Sequence, residues 1–384
     1  MKLLLGRAAA IFLIAAIVTG CTTGTPPQPR LLTRAAFADL PGWDRADLDA
    51  ALAAFRRGCA LLAAKPADTP MSGAGYAGTA ADWLAPCNAA DGAARHFFET
   101  EFTPFAVGGD DGLFTGYYEP QINGSRTRQG AYQTPVFGLP PDLVRADLGA
   151  FSPAFKGEHI AGKLQGQALV PYPDRAAIDA GGIAAAPVLL FTDDPASLFF
   201  LQIQGSGRAR LDSGEVIRLG YAGDNGQPYT AIGRTLVDQG ALTRENVSLQ
   251  SIRAWLKAHP DQARAVMETD KSYVFFRETA LDDASLGGIG TMGVRLTPLA
   301  SLAVDARSHA LGAPFYVAAD PAFSGLLIGQ DTGGAIRGPL RGDIFFGSGD
   351  AAEARAGTMN APGRMFVLLP NALAARLGNG WPPP

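Results

Sequence analysis

Cysteine and histidine are scarce in this sequence. Its 384 residues hold three cysteines, at positions 21, 59 and 87, with no zinc-finger spacing among them. The four histidines, His96, His159, His259 and His309, are scattered, with no pair at i,i+3 or i,i+4, so no metal site is expected. A basic excess is missing too. Lys and Arg number 32 against 36 Asp and Glu, the formal net charge is −4, and no basic stripe is present, which excludes a nucleic-acid binder. There is no long hydrophobic run: the apolar stretch at 8–18 is too short to cross a bilayer. Fixed-period repeats are absent. What is present is 47% hydrophobic and only 18% charged residues, the balance of a folded chain. Its 47 glycines and 28 prolines favour a turn-rich, mainly β architecture with a few α-helices, and its length suits one large or two moderate domains.

The N-terminus reads as a sorting signal. Lys2 and Arg7 precede the apolar stretch, which ends Val18-Thr19-Gly20-Cys21. Small residues before a cysteine at this position resemble the bacterial lipoprotein cleavage box. That resemblance implies a signal peptide over 1–20 and lipid on Cys21, with a linker over 21–35 that includes the Pro/Thr-rich 22–30. Thr22, where an aspartate is absent, resembles lipoproteins sent to the outer membrane, so the expected location is its periplasmic face in a Gram-negative bacterium. Export leaves Cys59 and Cys87 as an even pair in an oxidising compartment. They are either a disulfide or two separate buried thiols.

Helical periodicity covers 43–65, where Leu48, Leu52, Phe55, Cys59 and Leu62 share a face, and a second helix is expected over 89–100. The pattern turns strand-like from 113 to about 217. Within it, Phe199-Phe200-Leu201-Gln202-Ile203-Gln204 reads as a strand ending in the turn Gly205-Ser206-Gly207. Helices return over 230–240 and 249–267, the latter interrupted at Pro260. The 293–370 region is β-patterned again.

Several motifs have both a bland and a chemical reading. Gly288-Ile289-Gly290-Thr291-Met292-Gly293 matches G-x-G-x-x-G, yet no strand precedes it and no helix follows, so no cofactor is expected. Gly205-Ser206-Gly207 lacks the spacing of a nucleophile elbow, and Ser206 is either a ligand-facing donor or a turn residue. Phe114-Thr115-Gly116-Tyr117-Tyr118-Glu119-Pro120 sets aromatics beside a carboxylate, as a sugar platform does, but equally suits core and turn. The run 330–349, QDTGGAIRGPLRGDIFFGSG, holds Asp331 and Asp343, the latter against Ile344-Phe345-Phe346. A carboxyl group beside an apolar strand stays protonated to higher pH, as a general acid requires. The same run also reads as a β-hairpin with capping aspartates.

Taken together, Phe114–Pro120, Tyr132-Gln133-Thr134-Pro135-Val136, Leu201–Gly207, Tyr221-Ala222-Gly223, Ser272-Tyr273-Val274-Phe275-Phe276 and the 330–349 run resemble the membrane-bound lytic murein transglycosylase A family, in order, over about 110–370. The C-terminal part resembles the three-aspartate module of such enzymes, except that Ala310-Leu311-Gly312-Ala313 departs from the usual Pro-Leu-Gly-Thr. The resemblance implies a double-psi β-barrel built from 36–118 and 272–384, an inserted β-domain over 119–271, and a glycan groove between them. It implies that Asp343 is the single acid/base, with Asp331 and Asp305 in support. It also implies that Tyr118, Gln204, Ser206, Gly207 and Tyr221 bind substrate. The reaction implied is non-hydrolytic cleavage of peptidoglycan glycan strands, with no cofactor. The alternatives are a two-carboxylate hydrolase using Asp331, or a non-catalytic peptidoglycan-binding lipoprotein. Expected partners are the glycan strands and the membrane, with proteins of wall synthesis or division left open.

Overall fold

A computed structural model describes residues 31–71, 74–109, 111–155, 157–183 and 185–381. The expected signal peptide, Cys21 and the linker up to residue 30 lie outside the described residues. Six strands close a barrel. Around it run Pro314–Ala319, Phe323–Asp331, Ser301–Val304, Arg341–Ser348, Gly112–Glu119 and Asn360–Pro370, and the last pairs back onto the first. Two neighbouring pairs are parallel, 301–304 with 323–331 and 341–348 with 112–119. Parallel neighbours need a crossover rather than a tight turn, and the connection from Glu119 to Arg341 carries the whole middle of the chain. This is the double-psi β-barrel, within a mainly β fold, that the resemblance implies. Phe114, Leu302, Val304, Phe315, Leu327, Ile344 and Val367 fill its core with no exposure. The short strand Ser301–Val304 and Pro314–Ala319 are buried at every position, which is why they read as continuous apolar runs.

Helix Asp49–Ala63 packs Leu52, Phe55 and Leu62 inward at helical spacing. It begins later than the expected 43, because Trp43–Arg45 forms a separate 3-10 turn. The expected helix 89–100 shortens to Ala94–Glu101, after Gly92 takes a positive φ of 69°. An unforeseen helix, Ala81–Asn88, precedes it and includes Pro86. A disulfide joins Cys59 of the first helix to Cys87 of the second, with Cα atoms 5.4 Å apart.

The second unit is built on a four-stranded sheet in the order Val274–Thr279, Val216–Asp224, Gly207–Leu211, Gln121–Gly124. Its last strand in sequence carries the unit past the expected boundary at Lys271, to Thr279. Two readings of the sequence need correction. Residues 199–204 are not a strand but the end of helix Pro195–Gln204. Asp194 caps it, Pro195 opens it and Gly205 closes it in the left-handed region at φ 78°. Leu198, Phe199, Phe200 and Leu201 are all buried, so no polar face remained to reveal the helical period. The 330–349 run is also not a hairpin, because Ser301–Val304 lies between its two strands.

Candidate active site

Asp343 stands on strand Arg341–Ser348, opposite Thr115 on one neighbour and Ala303 on the other. Ile344 and Phe345 beside it are buried, and Asp343 as a residue is half-buried. Thr115 Oγ1 donates to Asp343 Oδ1 at 2.6 Å. Arg341 Nη2 donates to the same Thr115 oxygen at 2.8 Å. A guanidinium has no acceptor, so the direction of this chain of bonds is fixed. Burial pushes the Asp343 carboxyl up to about 6 and the Asp331 charge adds to the rise, while the Thr115 bond and the Arg341 cation oppose it.

Asp331 ends strand Phe323–Asp331 and is enclosed by donors. Its Oδ1 accepts from the Thr291 amide at 2.9 Å and from the Thr291 hydroxyl at 3.0 Å. Its Oδ2 accepts from the Tyr117 hydroxyl at 3.0 Å. Burial raises this carboxyl above its usual range against those bonds. Burial, helped by the two carboxylates, raises the Tyr117 phenol well above its ordinary value, so Tyr117 stays a donor. Its ring packs on Phe345, centroids 5.2 Å apart. Because side chains two apart on a strand share a face, Thr115 and Tyr117 reach the site together, as do Arg341 and Asp343.

Thr291 arrives on a tight loop closed by the Gly287 amide to the Leu296 carbonyl at 2.8 Å and the Gly290 amide to the Val294 carbonyl at 2.9 Å. A Cβ on Gly287 would collide with the Phe345 ring, and one on Gly290 with the Gln330 carbonyl. Gly290 of the G-x-G-x-x-G stretch and Gly287 just before it therefore permit close packing.

The other expected site residues lie apart from this pair. Asp305 is 2% exposed at its side chain, bound to Arg307 at 2.8 Å and to the Gly338 amide at 2.8 Å. Burial would raise its carboxyl, but these bonds win and hold it at about 2. Asp305 thus ties down the loop between the strands of Asp331 and Asp343. Tyr118 needs correction as a stacking face: it is 2% exposed, with its hydroxyl accepting from Arg253 at 3.2 Å. Gln204 Oε1 accepts from the Tyr118 amide at 3.1 Å. Ser206 lies against Gly288, where the second unit's turn meets the Thr291 loop, and Gly207 is packed against Leu201 and the Pro120 carbonyl. Tyr221 is exposed and bonds Asp224 within its own strand. Thr115, Tyr117, Thr291 and Arg341 were missed as site residues. The first two stood inside the 114–120 segment, and Arg341 stood two before Asp343. Thr291, brought in by a loop 40 positions before its partner, left no signal.

Two segments of the chain match known family models. Residues 113–277 match the MltA specific insert domain, and 300–369 match the 3D domain. Membrane-bound lytic murein transglycosylase A of Escherichia coli K12 is 32% identical over 268 residues. That match covers 66% of this chain and 65% of the relative, so the chain spans just under two thirds of the curated relative's length. A membrane-bound lytic murein transglycosylase structure from Agrobacterium tumefaciens is 33% identical with a TM-score of 0.81, covering 90% of this chain and 99% of that one. E. coli MltA solved with bound chitohexaose is 28% identical with a TM-score of 0.59, covering 76% of this chain and 82% of that one. Both modules occur here in order, and a third of the residues are shared with a structure matched along nearly its whole length. The chain belongs to the membrane-bound lytic murein transglycosylase A family.

Proposed function

We propose that this protein is a lytic transglycosylase. It cleaves the β-1,4 bond between N-acetylmuramic acid and N-acetylglucosamine in peptidoglycan without consuming water. The observation that carries the reading is the inequality of the two carboxyl groups. Burial raises both, Asp343 to about 6, but Asp343 accepts a bond from Thr115 at Oδ1, whereas both oxygens of Asp331 are occupied by donors. Protonated Asp343 gives its proton to the glycosidic oxygen as the bond to C1 breaks through an oxocarbenium-like state. The Asp343 carboxylate then takes the proton of the muramoyl C6 hydroxyl, whose oxygen attacks C1 and closes a 1,6-anhydro ring. The nucleophile belongs to the substrate, so proximity replaces a second catalytic carboxylate. A hydrolase would need Asp331 free to activate water, and its donor shell disfavours that. Family membership and a relative solved with chitohexaose support a glycan substrate. In this reading Gln204, Ser206 and Gly207 shape the second unit's side of the groove, while Asp305 supports the loop.

Mass spectrometry of material released from purified sacculi tests the proposal. The native protein should release 1,6-anhydromuropeptides, and Asp343→Asn should lower that release by about 10²–10⁴-fold, the usual worth of a general acid. Products carrying a full water would overturn the lyase reading.

We further propose anchoring through lipid on Cys21 at the periplasmic face of the outer membrane. Relatives are named membrane-bound, and among the described residues no helix is long and apolar enough to cross a membrane. Cys21→Ala should move the protein from the membrane to the soluble fraction; retention would place the anchor elsewhere.

A further inference from the structure

We propose that the depression beside Asp331 holds the start of the peptide stem carried by the muramoyl unit, an inference that rests on the peptidoglycan reading above. The depression has a volume of about 330 Å³ and is lined by Leu61, Lys65, Met71, Thr291, Met292 and Leu311, among others. That is the low end of the range for ligand sites.

Its position follows from one loop. Thr291, whose amide and hydroxyl bind Asp331, also forms part of the lining. Its neighbour Met292 bonds the Gln330 carbonyl through its amide at 3.0 Å. The Met292 side chain lies over Gly58 of helix Asp49–Ala63 and over Gly312. The depression is therefore tied through Thr291 to Asp331 on one side and through Met292 to the N-terminal helix on the other.

Its chemistry is mixed. Leu61, Met71, Met292 and Leu311 are apolar, and Lys65 is an exposed cation at the rim. His309 also lines it but adds no charge at neutral pH, because burial lowers it to about 4. Its nitrogens face the Tyr76 hydroxyl and the Pro339 carbonyl, each at 2.7 Å. Small apolar contacts beside one cation suit a short acidic peptide. A bare glycan offers hydroxyl and acetamide groups, whereas the stem adds the alanyl methyl and the glutamyl carboxylate that this lining matches. The contact adds affinity and takes no part in bond cleavage.

The test compares peptide-bearing glycan strands with the same strands stripped of peptide by an amidase. The native protein should show a KM about fivefold lower on the peptide-bearing strands. Lys65→Glu should remove that difference with kcat unchanged, since one reversed rim charge typically shifts affinity by about 2–5-fold or more. Equal KM values for both substrates in the native protein, or an equal loss on both in the variant, would overturn the proposal. Binding of a synthetic alanyl-glutamyl stem peptide, followed by NMR, separates this from the reaction assignment. Saturable shifts that Lys65→Glu abolishes support the pocket even if no anhydro product forms, and no shifts in the native protein sink it even if product does form.

Discussion

Because Arg341 can only donate, the Thr115 hydroxyl has one orientation left, with its proton on Asp343 Oδ1. A protonated Asp343 therefore carries the acidic proton on Oδ2, and the threonine selects the oxygen that faces chemistry. Thr115→Val removes both the orientation and a bond that stabilises the carboxylate. We expect kcat to fall about 10–100-fold with KM nearly unchanged, and Thr115→Ser to recover most of the loss. The pH sign follows from the acid role. In the proposed role the active form is protonated, so native activity should decline as pH rises through about 6. In Thr115→Val that decline should move to higher pH, because the bond that lowered the carboxyl is gone. A pH profile with an unmoved upper limb would show that Thr115 serves packing alone. At this scale the burial of Asp343 was legible, since an aspartate running into Ile-Phe-Phe is costly to bury charged, and Asp331 stood in the same run. Thr291 was not, since only the packed loop brings it near Asp331. The burial of Tyr118 was equally hidden: Tyr117 and Tyr118 are chemically alike, and the pleat alone decides which one turns toward Asp331.

Helix Asp49–Ala63 and helix Ala81–Asn88 share the Cys59–Cys87 bond across a sequence separation of 28. In the chain-entropy model, closing such a loop contributes about 3–4 kcal/mol. The Cys59→Ser/Cys87→Ser double variant should lose stability of that order in urea denaturation. Reductant should lower the Tm of the native protein and leave that of the double variant in place. Among the elements, amphipathic helices such as Asp49–Ala63 were readable from spacing, as were the break at Pro260 and the buried runs of the barrel. The helix Pro195–Gln204 was missed although its start and stop residues were in view. The buried run Leu198–Gln202 masks the period, while Asp194, Pro195 and Gly205 carry the start and stop.

The two units are joined at Glu119, the last residue of the barrel strand Gly112–Glu119. Its buried carboxylate takes Arg208 Nε and Arg218 Nε at 2.8 Å each, both from the second unit's sheet. The same arginines hold the carbonyls of Ala284 and Leu286, at 2.8 and 2.5 Å, at the base of the loop that carries Thr291. Glu119→Gln leaves two guanidinium groups facing a neutral amide, and breaking such a buried group costs about 3–5 kcal/mol. Urea denaturation should show that loss; a change below about 1 kcal/mol would mean the junction is held elsewhere. The division into barrel and insert was readable only through the family resemblance, because periodicity does not report which strands become neighbours. That same neighbouring has a consequence for timing. Asp343 and Thr115 stand 228 positions apart, and the barrel closes only when Asn360–Pro370, near the end of the chain, pairs with its first and last neighbours. Such long-range pairing makes folding slow. A chain that ends before residue 360 lacks the strand that joins these neighbours. In the proposed reading, cutting becomes available only once the last barrel strand is in place.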